Sequence, residues 1–398
     1  MHASVAGRHC PKTCSRAPLV TLALYKRGST PSCSSRSLCR SIDMAFSHGG
    51  TWSVIRTVVL LIGGLLAAVP AASGGHVDAG DMLMMDRFRQ WQATHNRSYL
   101  SAEERLQRFE VYRSNVEYID AANRRGDLTY ELGENQFADL TGEEFVARYA
   151  SSHDAGGHTD SVITTAAEAD GLWSSGGGDD SLEAPLPPSV DWRAKGAVTP
   201  VKNQGSQCFS CWAFSAVAMM ESLYFIKTGT LVPLSEQQLV DCDKYDGGCN
   251  RGYYHRAFQW IMENGGLTTA ALYPYKAVRG VCFRAKPVVT ITGHAAVPKN
   301  ELALQSAVAR QPIGVAIEVP TSMQFYKSGV FSAPCGIKMS HAVVTVGYGT
   351  DASSGLKYWL VKNSWGQTWG EAGYIRMRRD VGGSGLCGIA LDTAYPTM

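Results

Sequence analysis

Seven cysteines follow residue 185, at positions 208, 211, 242, 249, 282, 335 and 387. Their odd number limits the C-terminal half of the chain more than any other feature. A fully oxidised domain must leave at least one of them unpaired. The whole chain holds eleven cysteines, mostly at separated positions, which points to an oxidising compartment. Cys208 and Cys211 form a C-x-x-C, readable as a redox or zinc motif, but a zinc site would want a second pair at matching spacing and none follows.

Cys211 stands out because of what comes after it. Phe214, Val217, Met220, Leu223 and Tyr224 recur every three to four residues until Gly229, which predicts a helix with Ser210 as its N-cap. A cysteine in a first turn lies against unpaired backbone N–H groups and the positive end of the helix dipole, and both favour the thiolate. A thiolate nucleophile needs a proton acceptor and then a donor for the leaving group, and one imidazole can serve as both. His341 opens the apolar run SHAVVTVGYG and so sits at a strand end. The next run, KYWLVKNSWG, ends at Asn363, whose side-chain oxygen would hold the second imidazole nitrogen. Trp365 beside it would keep water from the pair. On position alone, a bridged cysteine, a core histidine, a turn asparagine and a core tryptophan are equally ordinary readings.

The rest of the chain divides by composition. Lysines and arginines number 37 against 35 acidic residues, and no basic stripe interleaved with aromatics marks a nucleic-acid partner. Residues 1–43 read as a transit-like or upstream extension. Residues 44–73 read as a secretory signal, with Arg56, an apolar run from Val58 to Val69 that is too short to favour a membrane span, and small residues Ala71, Ala72 and Ser73. Residues 81–150 read as a small helical domain. It has one stripe of Met82, Met85, Phe88 and Trp91, and a second of Leu106, Phe109, Tyr112, Val116 and Ile119 behind a capping box from Ser101 to Glu104. Asn96-Arg97-Ser98 is a glycosylation sequon. Residues 151–185, rich in Gly, Ser, Asp and Ala, read as a flexible linker open to activation cleavage. In residues 186–398 helices come first: one after Cys211, a short one capped by Ser235, and one from Tyr253 to Asn264. Strands follow over 288–291, 313–319, 342–346 and 358–362, interrupted by a helix over 301–310. Two such lobes leave a cleft, where binding sites usually form.

Five segments carry a resemblance: LPPSVDWRAKGAVTPVKNQG, SQCFSCWAFS, DGGCNRGY, SHAVVTVGYG and YWLVKNSWGQTWGEAGYIRM, in that order. In them the chain resembles precursors of papain-like cysteine proteases, close to the plant papain-type enzymes. Glu104, Arg108, Tyr112, Asn115, Ile119 and Asn123 are similar in spacing to that family's prodomain helix, with Tyr112 where Phe is usual. Gly133, Asn135, Phe137 and Asp139 match its second prodomain motif. The resemblance runs from about Asp81 to Met398, after which neither an endoplasmic-reticulum retrieval signal nor a granulin-like extension is expected.

The resemblance implies an α+β, papain-like two-lobe fold: a helical lobe and a β-barrel-like lobe with a cleft between them, preceded by a helical inhibitory prodomain. It implies Cys211 as nucleophile, His341 as base and acid, Asn363 as orienter, and Gln204 with the Cys211 N–H as oxyanion hole. It pairs Cys208 with Cys249, Cys242 with Cys282 and Cys335 with Cys387, each bridge typically contributing about 2–4 kcal/mol. It places Gly252 along the substrate backbone, and lines the pocket one step before the scissile residue with Tyr253, Tyr254, Ala316, Met339 and Ala342, with Asp392 at the far end. Such a pocket would prefer bulky apolar side chains and accept Arg until Asp392 is protonated. Neither cofactor nor metal is implied. The implied partners are protein and peptide substrates, the chain's own prodomain and cystatin-type inhibitors, for a monomer without nucleic acid or stable membrane anchor.

Four positions depart from the family pattern. One residue more than usual separates Gln204 from Cys211, Phe209 stands where Gly is usual, Arg251 replaces a Gly, and Ser340 replaces a frequent Asp. The reading is a cysteine endopeptidase made as a secretory zymogen, acting in a vacuole or lysosome or outside the cell, in acidic-compartment protein degradation. Its prodomain would be held through an ion pair of Asp139 and released as acid protonates that carboxylate. A catalytically weakened homologue that binds peptides, and a thiol-disulfide oxidoreductase using Cys208 and Cys211, are the alternatives.

Overall fold

A computed structural model describes residues 79–150 and 185–398. The extension 1–43, the signal-like segment 44–73 and the linker up to residue 184 lie outside the described residues.

The N-terminal helical domain forms where its apolar stripes meet. Helix α1 (Ala79–Thr94) and helix α2 (Ala102–Arg125) bury Phe88, Trp91, Phe109, Tyr112, Val116 and Ile119, and the Phe88 and Tyr112 rings lie 5.0 Å apart. Two members of the stripes are not in this core. Met82 and Leu106 are 54% and 57% exposed, because each step of three residues falls about 60° short of a full turn, which carries them off the face that buries the rings. Ser101 caps α2 by accepting the Glu104 N–H at 3.0 Å, while the Glu104 carboxylate turns back to the Leu100 N–H, not to that of Ser101. A fully reciprocal capping box, Thr141 with Glu144, starts the short helix α3 (Gly142–Tyr149); this one the sequence reading passed over.

The C-terminal domain is organised around helix α4 (Cys211–Thr228). The sequence reads α4 as a stripe, yet every residue from Cys211 to Leu223 is buried, because the helix lies between the other helices and the sheet and is covered all round. Gly229 ends it with φ 73°, a left-handed cap that favours glycine. Helices α5 (Glu236–Cys242) and α6 (Tyr254–Asn264) complete the helical lobe, and helix α7 (Glu301–Arg310), capped by Asn300, packs on the β lobe. Lys202 joins α4 to α5 by bonding both Glu221 and Glu236, and Lys362 from the β lobe reaches the same group through Thr199. Burial pushes Lys362 down to about 8.

The sheet runs β1-β5-β8-β7-β6-β4-β9-β3, with β2 (Val190–Asp191) beside β6. Its strands are β3 (Gly293–Ala296), β4 (Ile313–Ile317), β5 (Tyr326–Phe331), β6 (His341–Thr350), β7 (Lys357–Lys362), β8 (Tyr374–Arg378) and β9 (Thr393–Thr397). The strand expected over 288–291 is reduced to one bridge, Val289 to Leu267: Val289 and Ile291 are buried but Val288 is exposed, and the run finds no further ladder partner. The outermost strand, β1 (Tyr130–Leu132), comes from the N-terminal domain and adds antiparallel to β5. Backbone pairing of this kind docks one segment onto another's open sheet edge. Disulfides join Cys208 to Cys249, Cys242 to Cys282 and Cys335 to Cys387, and Cys211 is the free cysteine among the described residues.

Candidate active site

Cys211 is the first residue of α4. Ser210 holds the N-cap position but makes no capping bond, since its hydroxyl lies 2.6 Å from the Tyr275 hydroxyl instead. The backbone N–H groups of Ala342, Trp212 and Cys211 favour the thiolate, but burial outweighs them and pushes the thiol up to about 11. Ala342 directly follows His341 on β6.

His341 is buried, and its Nε2 lies 2.8 Å from Asn363 Oδ1. The Ser364 N–H also donates to that oxygen, at 2.7 Å, so the asparagine oxygen faces the ring and Nε2 carries the proton. Trp365 stacks on the imidazole with centroids 4.8 Å apart and planes 22° from parallel. A strand end, the next strand's end and one indole thus set the ring's position and tautomer.

Gln204 is fully buried. Its N–H donates to Ser364 O at 2.8 Å, and its Oε1 accepts the Ser364 hydroxyl at 2.6 Å. Tyr275 donates to Gln204 O at 2.8 Å while touching Ser210, and so ties this residue to the one before Cys211. The extra residue near Ser206 leaves Gln204 anchored on both sides, and the turn is made at Gly205, where φ is 74°. Gln204 Nε2 is buried with no hydrogen-bond partner among the described residues. An idle buried donor costs about 1–3 kcal/mol. Ser364 and Tyr275 carry no signal of this anchoring in the sequence beyond Ser364's place next to Asn363.

The expected pocket residues are partly brought together. Ala316 and Ala342 are register partners across β4 and β6. The Ala316 N–H donates to Asp392 O at 3.0 Å, and the Tyr254 hydroxyl donates to Asp392 O at 2.9 Å and to Asp392 Oδ1 at 3.0 Å. Tyr254 is buried at the start of α6. A Cβ on Gly252 would fall 2.5 Å from the Trp212 ring, so only glycine lets this backbone lie against α4, whereas Arg251 is exposed and free to vary. Tyr253 and Met339 are half-buried. Tyr253 donates its N–H to Asp246, whose carboxyl is pushed well above the usual range by burial and by Asp243 beside it. Phe209 is half-buried and donates its N–H to Cys249 O. Ser340 accepts the Val319 N–H at 3.1 Å. Asn96 is exposed at the end of α1.

The N-terminal domain reaches this site. Gln136 donates to Trp365 O at 2.8 Å, and Asn135 to Gln324 O at 2.8 Å. Phe137, Phe145 and Tyr149 set their rings edge-on around the Trp365 indole, at 5.2 to 6.2 Å. Asp139 does not make the expected cross-domain ion pair. Its buried carboxylate takes the Tyr99 hydroxyl at 2.9 Å and faces Arg97 at 3.8 Å, both in its own domain. The ion pair that crosses is Glu131 with Lys327. Among the described residues no group of three or more His, Cys, Asp or Glu is placed to hold a metal ion, and no helix is long and apolar enough to cross a membrane.

Comparison with known proteins agrees with this geometry. Residues 186–397 match the model of the papain family cysteine proteases, and residues 88–145 match the cathepsin propeptide inhibitor domain. Ananain of Ananas comosus is 44% identical over 321 residues, covering 79% of this chain and 88% of ananain. The cysteine endopeptidase RepA of Oryza sativa subsp. japonica is 50% identical over 301 residues, 74% of this chain and 78% of RepA. A recombinant stem bromelain precursor superposes with a TM-score of 0.71 at 46% identity, covering 79% of this chain and 99% of that one. The chain belongs to the papain family of cysteine proteases, as a cysteine endopeptidase zymogen whose inhibitory propeptide precedes the protease domain.

Proposed function

We propose that Cys211 and His341 carry the peptidase chemistry. The observation that supports this best is a free thiol at the first residue of α4, with an imidazole at the start of β6 held by Asn363. Nε2 donates to Asn363, and Nδ1 is the nitrogen that exchanges protons. In the opened cleft it takes the thiol proton, and the thiolate attacks the peptide carbonyl carbon. The carbonyl oxygen becomes an oxyanion, bound by Gln204 Nε2 and the Cys211 N–H. His341 returns the proton to the leaving amine as the C–N bond breaks, leaving a thioester. Water, deprotonated by the same imidazole, then releases the acid and restores the thiol.

Substrates are proteins and peptides bound along Gly252, with the side chain before the scissile residue between Tyr253, Tyr254, Ala316, Met339 and Ala342, toward Asp392. Trp365 screens the His341–Asn363 bond from water. The propeptide blocks the cleft until acid loosens it and cleavage falls between residues 151 and 185. The enzyme travels the secretory pathway to a vacuole, lysosome or the exterior, as a monomer glycosylated at Asn96 and open to cystatin-type inhibitors. Titration of the matured enzyme with a thiol-directed peptide epoxide tests the assignment. One equivalent bound at Cys211 with loss of hydrolysis is expected, and Cys211→Ala should abolish turnover with all three disulfides intact. Hydrolysis near the wild-type rate in Cys211→Ala would refute it.

A further inference from the structure

The end of the substrate pocket is not a simple carboxylate. Asp392 Oδ1 lies 2.6 Å from His255 Nε2 as well as 3.0 Å from the Tyr254 hydroxyl. His255 and Tyr254 are neighbours on the first turn of α6, and the Asp392 carbonyl is bonded at the same time by Tyr254 and by the N–H of Ala316. The carboxylate is thus bound into the wall from two elements. The side chains of His255 and Asp392 are 30% and 29% exposed, so both are reachable from solvent without being screened like a surface pair. His294 on β3 also lies close enough to His255 to interact with it, and burial pushes it down to about 4; it is neutral whenever the enzyme works above that pH and adds no competing charge. Tyr254 stays a neutral donor, since burial pushes its hydroxyl well above the ordinary value.

We propose that His255 is a specificity-determining residue: its imidazole occupies Asp392 and cancels its charge when protonated, so that the pocket takes apolar side chains in acid and admits a basic one as the imidazole becomes neutral. This rests on the reading of Asp392 as the end of the substrate pocket. The physical argument is competition for one acceptor. A substrate guanidinium needs a carboxylate with uncompensated charge and free lone pairs, preferably for a bidentate contact. Protonated His255 removes the net charge and holds one oxygen. Neutral His255 keeps one N–H on that oxygen and leaves the negative charge of Asp392 to attract a substrate cation. The wall residues meanwhile offer the same apolar surface to Leu at either pH. His255 thereby alters the ratio of basic to apolar substrates and not the turnover chemistry at Cys211.

The test uses the full chain, matured, with active enzyme counted by epoxide titration of Cys211. Two fluorogenic peptides differ only in Arg or Leu at the position one step before the scissile residue, and kcat/KM is measured at about pH 5.5 and about pH 7.5, which lie above the ordinary carboxylate range and either side of the ordinary histidine value. In the wild type the Arg/Leu ratio should rise with pH. His255→Gln, which keeps an N–H donor but no charge, should raise the ratio about tenfold at the lower pH, equivalent to about 1.4 kcal/mol, and make it flat between the two. Asp392→Asn should lower the ratio at both. A His255→Gln ratio within about twofold of wild type at both pH values, with Asp392→Asn still lowering it, overturns the role of His255 and leaves the pocket reading standing. An unchanged ratio in Asp392→Asn overturns the pocket reading itself. Should His255→Gln fail to mature, the wild type decides alone, since a ratio that does not move with pH excludes the charge competition.

Discussion

Phe137 is the residue on which the propeptide's grip on Trp365 and His341 can be measured. It is 1% exposed, lies 4.5 Å from the Tyr149 ring and 5.2 Å from Phe145, and meets Trp365 edge-on at 6.0 Å. Trp365 in turn stacks on His341. Truncating a buried Phe to Ala costs about 3–5 kcal/mol, of which aromatic pairing contributes about 0.5–1.5 kcal/mol per pair beyond area. Some of that loss falls inside the propeptide, since Phe145 and Tyr149 belong to it, so the lower end, about 3 kcal/mol, is the share that weakens docking. At about 1.4 kcal/mol per tenfold, Phe137→Ala should open the cleft roughly a hundredfold more often. The assay is the rate at which a fluorescent peptide epoxide labels Cys211 in the intact proenzyme near neutral pH, before any cleavage. Tyr118→Ala is the control: Tyr118 is 49% exposed and 6.5 Å from Phe325 at the rim of the same interface, so it should change the rate by less than about threefold. A Phe137→Ala proenzyme labelled within threefold of wild type would refute the clamp, because a buried ring at a shared core cannot be removed at so little cost.

Three further expectations follow from the same contacts. Arg108 holds Glu144 through two bonds of 2.6 and 2.8 Å and, as the largest cause, depresses its carboxyl to about 2; the stabilisation is complete above the unfolded value near 4.3 and is lost as pH falls from there through about 2. Glu144→Gln should therefore lower the proenzyme's Tm by an amount worth about 1–2 kcal/mol at pH 6, and equal Tm values for the two proteins at pH 6 would contradict this. Gly252→Ala places a methyl 2.5 Å from the Trp212 ring, and should cost about 1–3 kcal/mol of stability and raise KM more than it lowers kcat; an unchanged Tm with unchanged KM would show that the backbone has room there. Asn363→Ala should lower kcat less than Cys211→Ala does, because it frees His341 Nε2 without removing the base, and a loss as complete as that of the thiol would point to a direct part in the chemistry.

Local signals carried much of the architecture. The helix over Glu301–Arg310 is legible because Asn300 can cap it and Pro312 drives Gln311 into the extended region, and α6 because Gly265 can take φ 75°. Each of these choices is settled within a few residues. The strands β5, β8 and β9 were not legible, since five or six residues without strict alternation look like any buried run until a neighbour supplies the ladder. Periodicity marked Met82 and Leu106 as core because steps of three residues look periodic in sequence while drifting about 60° each around a helix of 3.6 residues per turn. The same limit explains Ser210, whose hydroxyl was free to cap α4 and went instead to Tyr275, a residue 65 positions away.

For the site, cysteine counting and motif order determined a free thiol at a helix start, with an imidazole and an amide at the ends of successive runs, because those depend only on residue type and spacing. The tertiary structure decided which partners each group has. Asn363 meets His341 across two strands, Gln204 bonds a serine 160 residues away, and Asp139 finds Tyr99 and Arg97 within the propeptide where an interdomain partner was expected. Asp392 likewise is bound to His255, 137 residues before it. A hydrogen bond is short-ranged and directional, so its partner is chosen by how the chain packs, and no local pattern in the sequence records that choice.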